Sequence, residues 1–244
     1  MPKKIFDEFT FEARVMPAVT IVLPVLATGA YKGVIDNKWT EASVEFALAI
    51  VALVFMTYVV REFGKTYEKK MIGNLAALPT TIVMRFSDNR IDEISKVKYH
   101  KWFNNKGEKY HLPLSLAEEQ EDTQSDNKYI NAMKDLRVYA YNHRPMYPRV
   151  YQELKKYNYW RNLYGCKKIA MVLYTLMAIK EFVQLKEFNA KEMLVAYDPQ
   201  YNVLFGVLLW AIFFCIAVTK KVVERNAFDY AVTLIETICD TDIT

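Results

Sequence analysis

Cysteine and histidine are scarce in this chain, three of each in 244 residues, and glycine and proline contribute only seven and eight. Three cysteines cannot build a disulfide framework, and so little glycine and proline excludes collagen-like and low-complexity disordered classes. The glycines at 29, 33, 64, 73, 107, 165 and 206 are scattered, with no G-x-G-x-x-G or Walker spacing to cradle a phosphate. His100, His111 and His143 have no second ligand three or four residues away, which argues against a metal site. No G-x-S-x-G is present, and no cysteine has a histidine close by in sequence. An acid pair such as Asp92 and Glu93 reads as a solvated helix face. The expectation is a chain that is not an enzyme and uses no cofactor.

A large charge of one sign is also missing overall: the net charge is +4 and the mean hydropathy is −0.03. Those averages conceal a partition, because the apolar residues pool in four blocks near the two ends. A membrane-spanning helix needs about 20 mostly apolar residues, since it rises 1.5 Å per residue and must satisfy its backbone internally. Met16 to Ile35 meets this with one charge, Lys32, near its end. Val44 to Val60 carries only Glu45 and stops at Arg61-Glu62, and Val203 to Thr219 carries none and stops at Lys220-Lys221. Ile169 to Leu185 has Lys180 and Glu181 in its last turn, where the side chains can snorkel. Four core helices of this kind would leave the chain too little amphipathic surface to enclose them. The first block also resembles a signal peptide, but its long polar lead, Phe6 to Arg14, and the second block soon after favour a retained anchor.

Lysine and arginine at the block ends set the topology. Lys3, Lys4 and Arg14, then Arg61, Lys65, Lys69 and Lys70, then Arg161, Lys167 and Lys168, then Lys220, Lys221 and Arg225 fall on one side. The opposite loops, with Asp36, Lys38 and Glu41, then Lys186, Glu187, Lys191, Glu192 and Asp198, have no positive excess. The reading is an all-α membrane protein with four transmembrane helices, a helical cytoplasmic domain between helices 2 and 3, and a C-terminal amphipathic helix. Its parts are an N-terminal interfacial helix and the first two spans (1–60), the cytoplasmic domain (61–168), the last two spans (169–219) and the C-terminal helix (220–244). Cys166 and Cys239 then face a reducing compartment and Cys215 the bilayer, so disulfides are not expected.

From Arg61 to Lys168 there are 21 Lys and Arg against 13 Asp and Glu, and 11 of the 17 tyrosines. Cations and aromatics interleave here, a combination that holds single-stranded nucleic acid by neutralising phosphates and stacking on bases. The residues chosen on that argument are Lys98, Tyr99, Lys101, Trp102, Arg137, Tyr141, Arg144, Tyr147 and Arg149. The competing reading has the tyrosines half-buried in a small helical domain and the cations facing anionic headgroups. Helices are expected over 61–75, with a break at Leu78-Pro79, over 91–103 with Asp88 as a cap, over 126–141 capped by Ser125, and over 149–164. Ile130, Met133, Leu136 and Tyr139 or Ala140 make the stripe of the third. After Lys221, Val223, Ala227, Tyr230, Leu234 and Ile238 form a stripe that must pack, either on the middle domain or on neighbouring subunits. Ile5 to Ala13 reads as a helix lying on the membrane surface.

Polar residues within the blocks are pore candidates where they line water: Glu41, Glu45, Thr57 and Glu181. For the threonines, Thr20, Thr28, Thr57 and Thr175, the alternative is a bond to the preceding helical turn; for Lys180 with Glu181 it is an interfacial pair.

Leu78-Pro79-Thr80-Thr81 with Arg85, Ser87, Asp88 and Asp92, and Asn158-Tyr159-Trp160-Arg161-Asn162-Leu163-Tyr164-Gly165 before Lys167, resemble a bacterial family of anti-phage membrane effectors, that of Hailong protein A. The resemblance covers about a third of the chain. It implies a homo-oligomeric ion channel of the bacterial inner membrane, with a tetramer as the working subunit number. It also implies a cytoplasmic domain that binds a single-stranded DNA oligomer or related nucleotide signal made by a nucleotidyltransferase partner, and growth arrest when the channel is released. The other reading is a non-conducting membrane scaffold that docks a protein partner or anionic lipid through its basic domain.

Overall fold

A computed structural model describes residues 8–35, 37–107, 109–184 and 201–243. Every element among them is helical. The chain divides into two compact units: the first comprises the described residues of 1–67 and 158–222, the second those of 68–157 and 223–244.

In the first unit, α1 spans Glu8–Val34 and α2 spans Trp39–Leu75. Among the described residues these are the two helices long and apolar enough to cross a membrane, and the 37 residues of α2 extend about 55 Å. Residues 8–13 belong to α1 itself and form no separate surface helix; Ile5 and Phe6 lie outside the described residues. A π-helical turn at Phe11–Val15 interrupts α1, and Pro24 removes one backbone donor from its middle. The helices here called α8, Lys167–Gln184, and α9, Asn202–Ala217, cover the third and fourth apolar blocks. The first contains Lys167, Lys168, Lys180 and Glu181. The second has 16 residues, about 24 Å, and stops at a break before Lys220; counted together with the helix beyond that break it makes a third candidate span. Residues 185–200, with Tyr197, lie outside the described residues, as does Asp36.

The core of this unit is Ala18, Ile21, Val22 and Val25 of α1 against Met56 and Val60 of α2, Ala170 and Tyr174 of α8, and Val207 and Phe214 of α9. A polar thread runs through it: Trp210 Nε1 donates to Tyr174 Oη at 3.3 Å, and Tyr174 donates to the Ile21 carbonyl at 3.1 Å. The outward faces are apolar as well, with Val51, Phe55 and Tyr58 of α2 and Phe205, Ile212 and Ile216 of α9 more than half exposed. An apolar exterior of that extent fits a lipid surrounding.

In the second unit, α2 ends at Ala76, whose φ is 60°, and Pro79 opens a short turn, α3, Pro79–Ile82. This is the break expected at Leu78-Pro79. Then follow α4, Glu93–Lys106, α5, Leu116–Glu121, α6, Ser125–Asn142, and α7, Pro148–Gly165, whose last residues belong to the first unit. Two caps differ from expectation. Asp92, not Asp88, caps α4, accepting from Ser95 N at 2.9 Å, while Asp88 turns to Arg90. Gln124, not Ser125, precedes α6, and the carboxylate of Asp122 holds Gln124 N at 2.9 Å. The buried stripe of α6 is Tyr129, Ala132, Met133, Leu136 and Ala140; Ile130 points outward, one position off the seam.

The C-terminal helix, α10, Lys220–Ile243, buries Val223, Ala227, Tyr230 and Leu234. Of the two partners open to this stripe, the structure uses the chain's own middle region: Tyr230 stacks on Tyr157 at 6.5 Å and the Arg90 guanidinium lies 3.5 Å from the Phe228 ring centre. The Ile238 side chain is outside the described residues.

Candidate functional site

The interleaved cations and aromatics of the second unit sort into two groups and a remainder. Arg144, in the turn between α6 and α7, sets its guanidinium 3.8 Å from the Tyr141 ring centre and 5.0 Å from that of Tyr151. Lys155, one turn further along α7, lies 5.3 Å from the same Tyr151 ring. Tyr141 is 64% exposed, and Arg144 Nε is buried without a hydrogen-bond partner. The result is a row of rings and cations with its outer ring, Tyr141, in solvent, the combination on which a planar base can stack.

The second group surrounds a cleft of about 340 Å³ between α4 and α6, lined by Trp102, Phe103, Lys106, Lys109, Tyr110, Asp135 and Tyr139. Lys106 lies 5.1 Å from the Trp102 ring centre and Lys109 lies 4.8 Å from that of Tyr110. Asp135 accepts from Lys109 Nζ at 2.6 Å and from Tyr110 Oη at 2.9 Å. The Lys109 bond holds the Asp135 carboxyl below its ordinary range, and burial pushes the Tyr110 phenol up.

Of the nine residues chosen from the sequence, Trp102, Tyr141 and Arg144 enter these groups. Tyr99 and Tyr147 are buried, and their rings present no face to a ligand. Lys98, Lys101 and Arg149 are exposed, and Arg137 folds back to donate to the Met133 carbonyl at 3.3 Å. Lys155 was missed, as were Lys106, Lys109, Tyr110, Asp135 and Tyr139. The i, i+4 spacings Trp102 to Lys106 and Tyr151 to Lys155 are the sequence signals that point to two of them.

The pore candidates have a different setting. Lys32 Nζ donates to Glu181 Oε1 at 2.9 Å and lies 3.8 Å from Glu45 Oε1 and 3.9 Å from Glu41 Oε2. Lys180 Nζ bonds Glu45 and lies 3.9 Å from Glu181. Lys32, Glu45 and Glu181 are buried, while Glu41 and Lys180 are half-exposed. Four charges of alternating sign therefore close a ring that joins α1, α2 and α8. Thr57 Oγ1 donates to the Val54 carbonyl at 2.7 Å, and Thr20, Thr28 and Thr175 bond their own preceding turns in the same way, the alternative reading for these hydroxyls.

Both quoted motifs hold structure together. Arg85 grips Asp126 through two bonds, at 2.9 and 2.6 Å, and the buried Lys96 ammonium caps the carbonyls of Arg85 and Asp88. Burial lowers the Lys96 pKa. Asn162 donates to the Ala13 carbonyl in the π-helical turn at 2.6 Å and accepts from Arg161. Gly165 lets α7 meet α2, since a Cβ there would lie 2.6 Å from Gly64 N. Among the described residues no group of three or more His, Cys, Asp or Glu is placed to hold a metal ion. Comparison with known protein families, with curated proteins and with solved structures finds no match for this chain.

Proposed function

We propose that the chain is a ligand-gated ion channel of the bacterial inner membrane, an effector of anti-phage defence. It crosses the bilayer four times, through α1, α2, α8 and α9, with both termini and the second unit on the cytoplasmic side. Pairing of Lys180 and Glu181 with Glu45 and Lys32 lowers the penalty that unpaired charges would impose on α8, and Lys220-Lys221 can snorkel from the end of the short α9. Copies of the chain, four in the working assembly, surround the pore. The second unit binds a single-stranded DNA oligomer or related nucleotide signal, supplied by a nucleotidyltransferase, and opening of the pore arrests growth.

The observation that carries the ligand reading is the Tyr141–Arg144–Tyr151 group with the exposed Tyr141 ring at its outer end. Its test is binding of a labelled deoxyoligonucleotide to purified protein over a series of salt concentrations. Binding that weakens linearly in log–log form supports the reading, because each phosphate contact releases condensed counterions. Absence of binding at low salt removes it.

One observation favours the scaffold instead. Glu41 and Glu45, which as carboxylates from several subunits would ring the mouth of a cation pore, lie beside Lys32 and Lys180 and so do not form a bare cation-attracting ring. A non-conducting protein that docks a partner or anionic lipid through its basic unit is then the competing account, and permeability measurements separate the two.

A further inference from the structure

The ring of four charges admits two pairings. In the pairing present, Lys32 holds Glu181 and Lys180 holds Glu45, so both bonds tie α8 to its neighbours. In the other, Lys32 turns to Glu45, 3.8 Å away, and Lys180 to Glu181, 3.9 Å away. That scheme leaves every charge paired, yet neither bond then reaches from α8 to another helix. We propose that these residues form a two-state charge switch, in which exchange of partners releases the C-terminal turn of α8 from α1 and α2 without stranding a buried charge, while Tyr174 and Ala170 keep the rest of α8 in the core.

The surrounding packing supports a moving C-terminal turn of α8 against a fixed pair. Gly29 and Gly33 bring α1 hard against α2: a Cβ at Gly29 would lie 3.0 Å from Glu45 Cβ, and one at Gly33 3.1 Å from Ala42 Cβ. The α8 turn bearing Lys180 and Glu181 is flanked by Ile179 and Val183, both more than half exposed. Glu41, one turn before Glu45 and 3.9 Å from Lys32, offers the departing ammonium a further half-exposed seat. Two discrete arrangements that each leave every charge paired are what a switch requires, since packed interiors change between states rather than deform continuously. The link from this exchange to pore opening rests on the channel reading above; the exchange itself does not.

Two charge swaps of identical composition separate the states. Lys32→Glu with Glu181→Lys keeps both α8 bonds attractive and makes both alternative contacts repulsive, locking α8 in place. Lys32→Glu with Glu45→Lys does the reverse. The readout is electron–electron distance between spin labels at Val44→Cys on α2 and Val183→Cys on α8, both exposed, in full-length protein carrying Cys215→Ser, in nanodiscs. The unswapped protein should show two distances; the first swap should lose the longer one and the second the shorter. A single distance in the unswapped protein that the first swap leaves unchanged overturns the proposal. If the second swap fails to fold, the first comparison still decides. Ion flux from vesicles, measured separately, tests the channel reading, and its loss leaves the distance result standing.

Discussion

Lys32 Nζ donates to Glu181 Oε1 across 2.9 Å, joining α1 to α8 through side chains 149 residues apart. Removing one partner of a buried pair costs about 3–5 kcal/mol, because the other charge stays desolvated. Lys32→Met should therefore lower the melting temperature in detergent markedly, and Glu181→Met less, because Lys32 keeps Glu45 at 3.8 Å and Glu41 at 3.9 Å. The two together leave Lys180–Glu45 intact and should recover most of the loss. A double variant as unstable as the sum of the singles shows that the pair is not coupled.

Gly165 and Gly73 should respond oppositely to alanine. At Gly165 the new Cβ meets backbone of Gly64 and Phe63 at 2.6 Å, atoms that cannot step aside without parting α7 from α2, and the overpacking should cost roughly 1–3 kcal/mol or more. At Gly73, inside α2, a Cβ meets nothing within 4 Å, and Gly73→Ala should stabilise by about 0.5–1 kcal/mol through helix propensity. Thermal melts of the two variants check both signs.

His100 sets a pH dependence in the second unit. Its ring is buried against Phe86 and Tyr129, its Nδ1 donates to the Pro113 carbonyl, and burial holds its pKa below the ordinary 6.5. The unfolded chain then takes up a proton first as pH falls. Stability is complete above the unfolded value, falls as pH drops below it, and levels off at the folded value. Denaturant midpoints from pH 7.5 to 5 should fall, and His100→Gln should flatten that slope. The carboxyls held low by their bonds, Asp92, Asp122 and Asp135, lose their share only at more acidic pH.

Tyr141 and Tyr147 are six residues apart, but one is exposed and the other buried. Tyr141→Ala should weaken oligonucleotide binding by about 5- to 150-fold, the equivalent of ~1–3 kcal/mol of stacking, with little change in melting temperature. Arg144→Ala should also reduce the salt slope by about one. Tyr147→Ala should instead destabilise the fold, by roughly 3–5 kcal/mol if it behaves as a large core truncation. Equal binding losses without unfolding for Tyr141 and Tyr147 contradict the placement of the site.

The helical class, the run of α2 past Arg61, its end near Pro79 and the C-terminal stripe were legible because each rests on local spacing or on a breaker residue. Caps were harder: Asp88, Asp92 and Asp122 are equivalent in a linear reading, and only the turn geometry decides which carboxylate meets a free amide. Periodicity placed the α6 seam one residue away, at Ile130, because Tyr129 hides its polar end on Glu119 and buries like an apolar residue. For the candidate site, composition could not separate the exposed Tyr141 from the buried Tyr99 and Tyr147. The charge ring was out of reach, since Lys32, Glu45 and Lys180 meet only once three distant helices have packed.

The most direct measurement is ion flux from vesicles containing the purified protein, with and without a short single-stranded deoxyoligonucleotide on the side of the second unit. The account predicts flux above that of protein-free vesicles, changed several-fold by the oligonucleotide, with the change lost in Tyr141→Ala combined with Arg144→Ala. Flux no greater than in protein-free vesicles, or flux indifferent to the oligonucleotide, contradicts it.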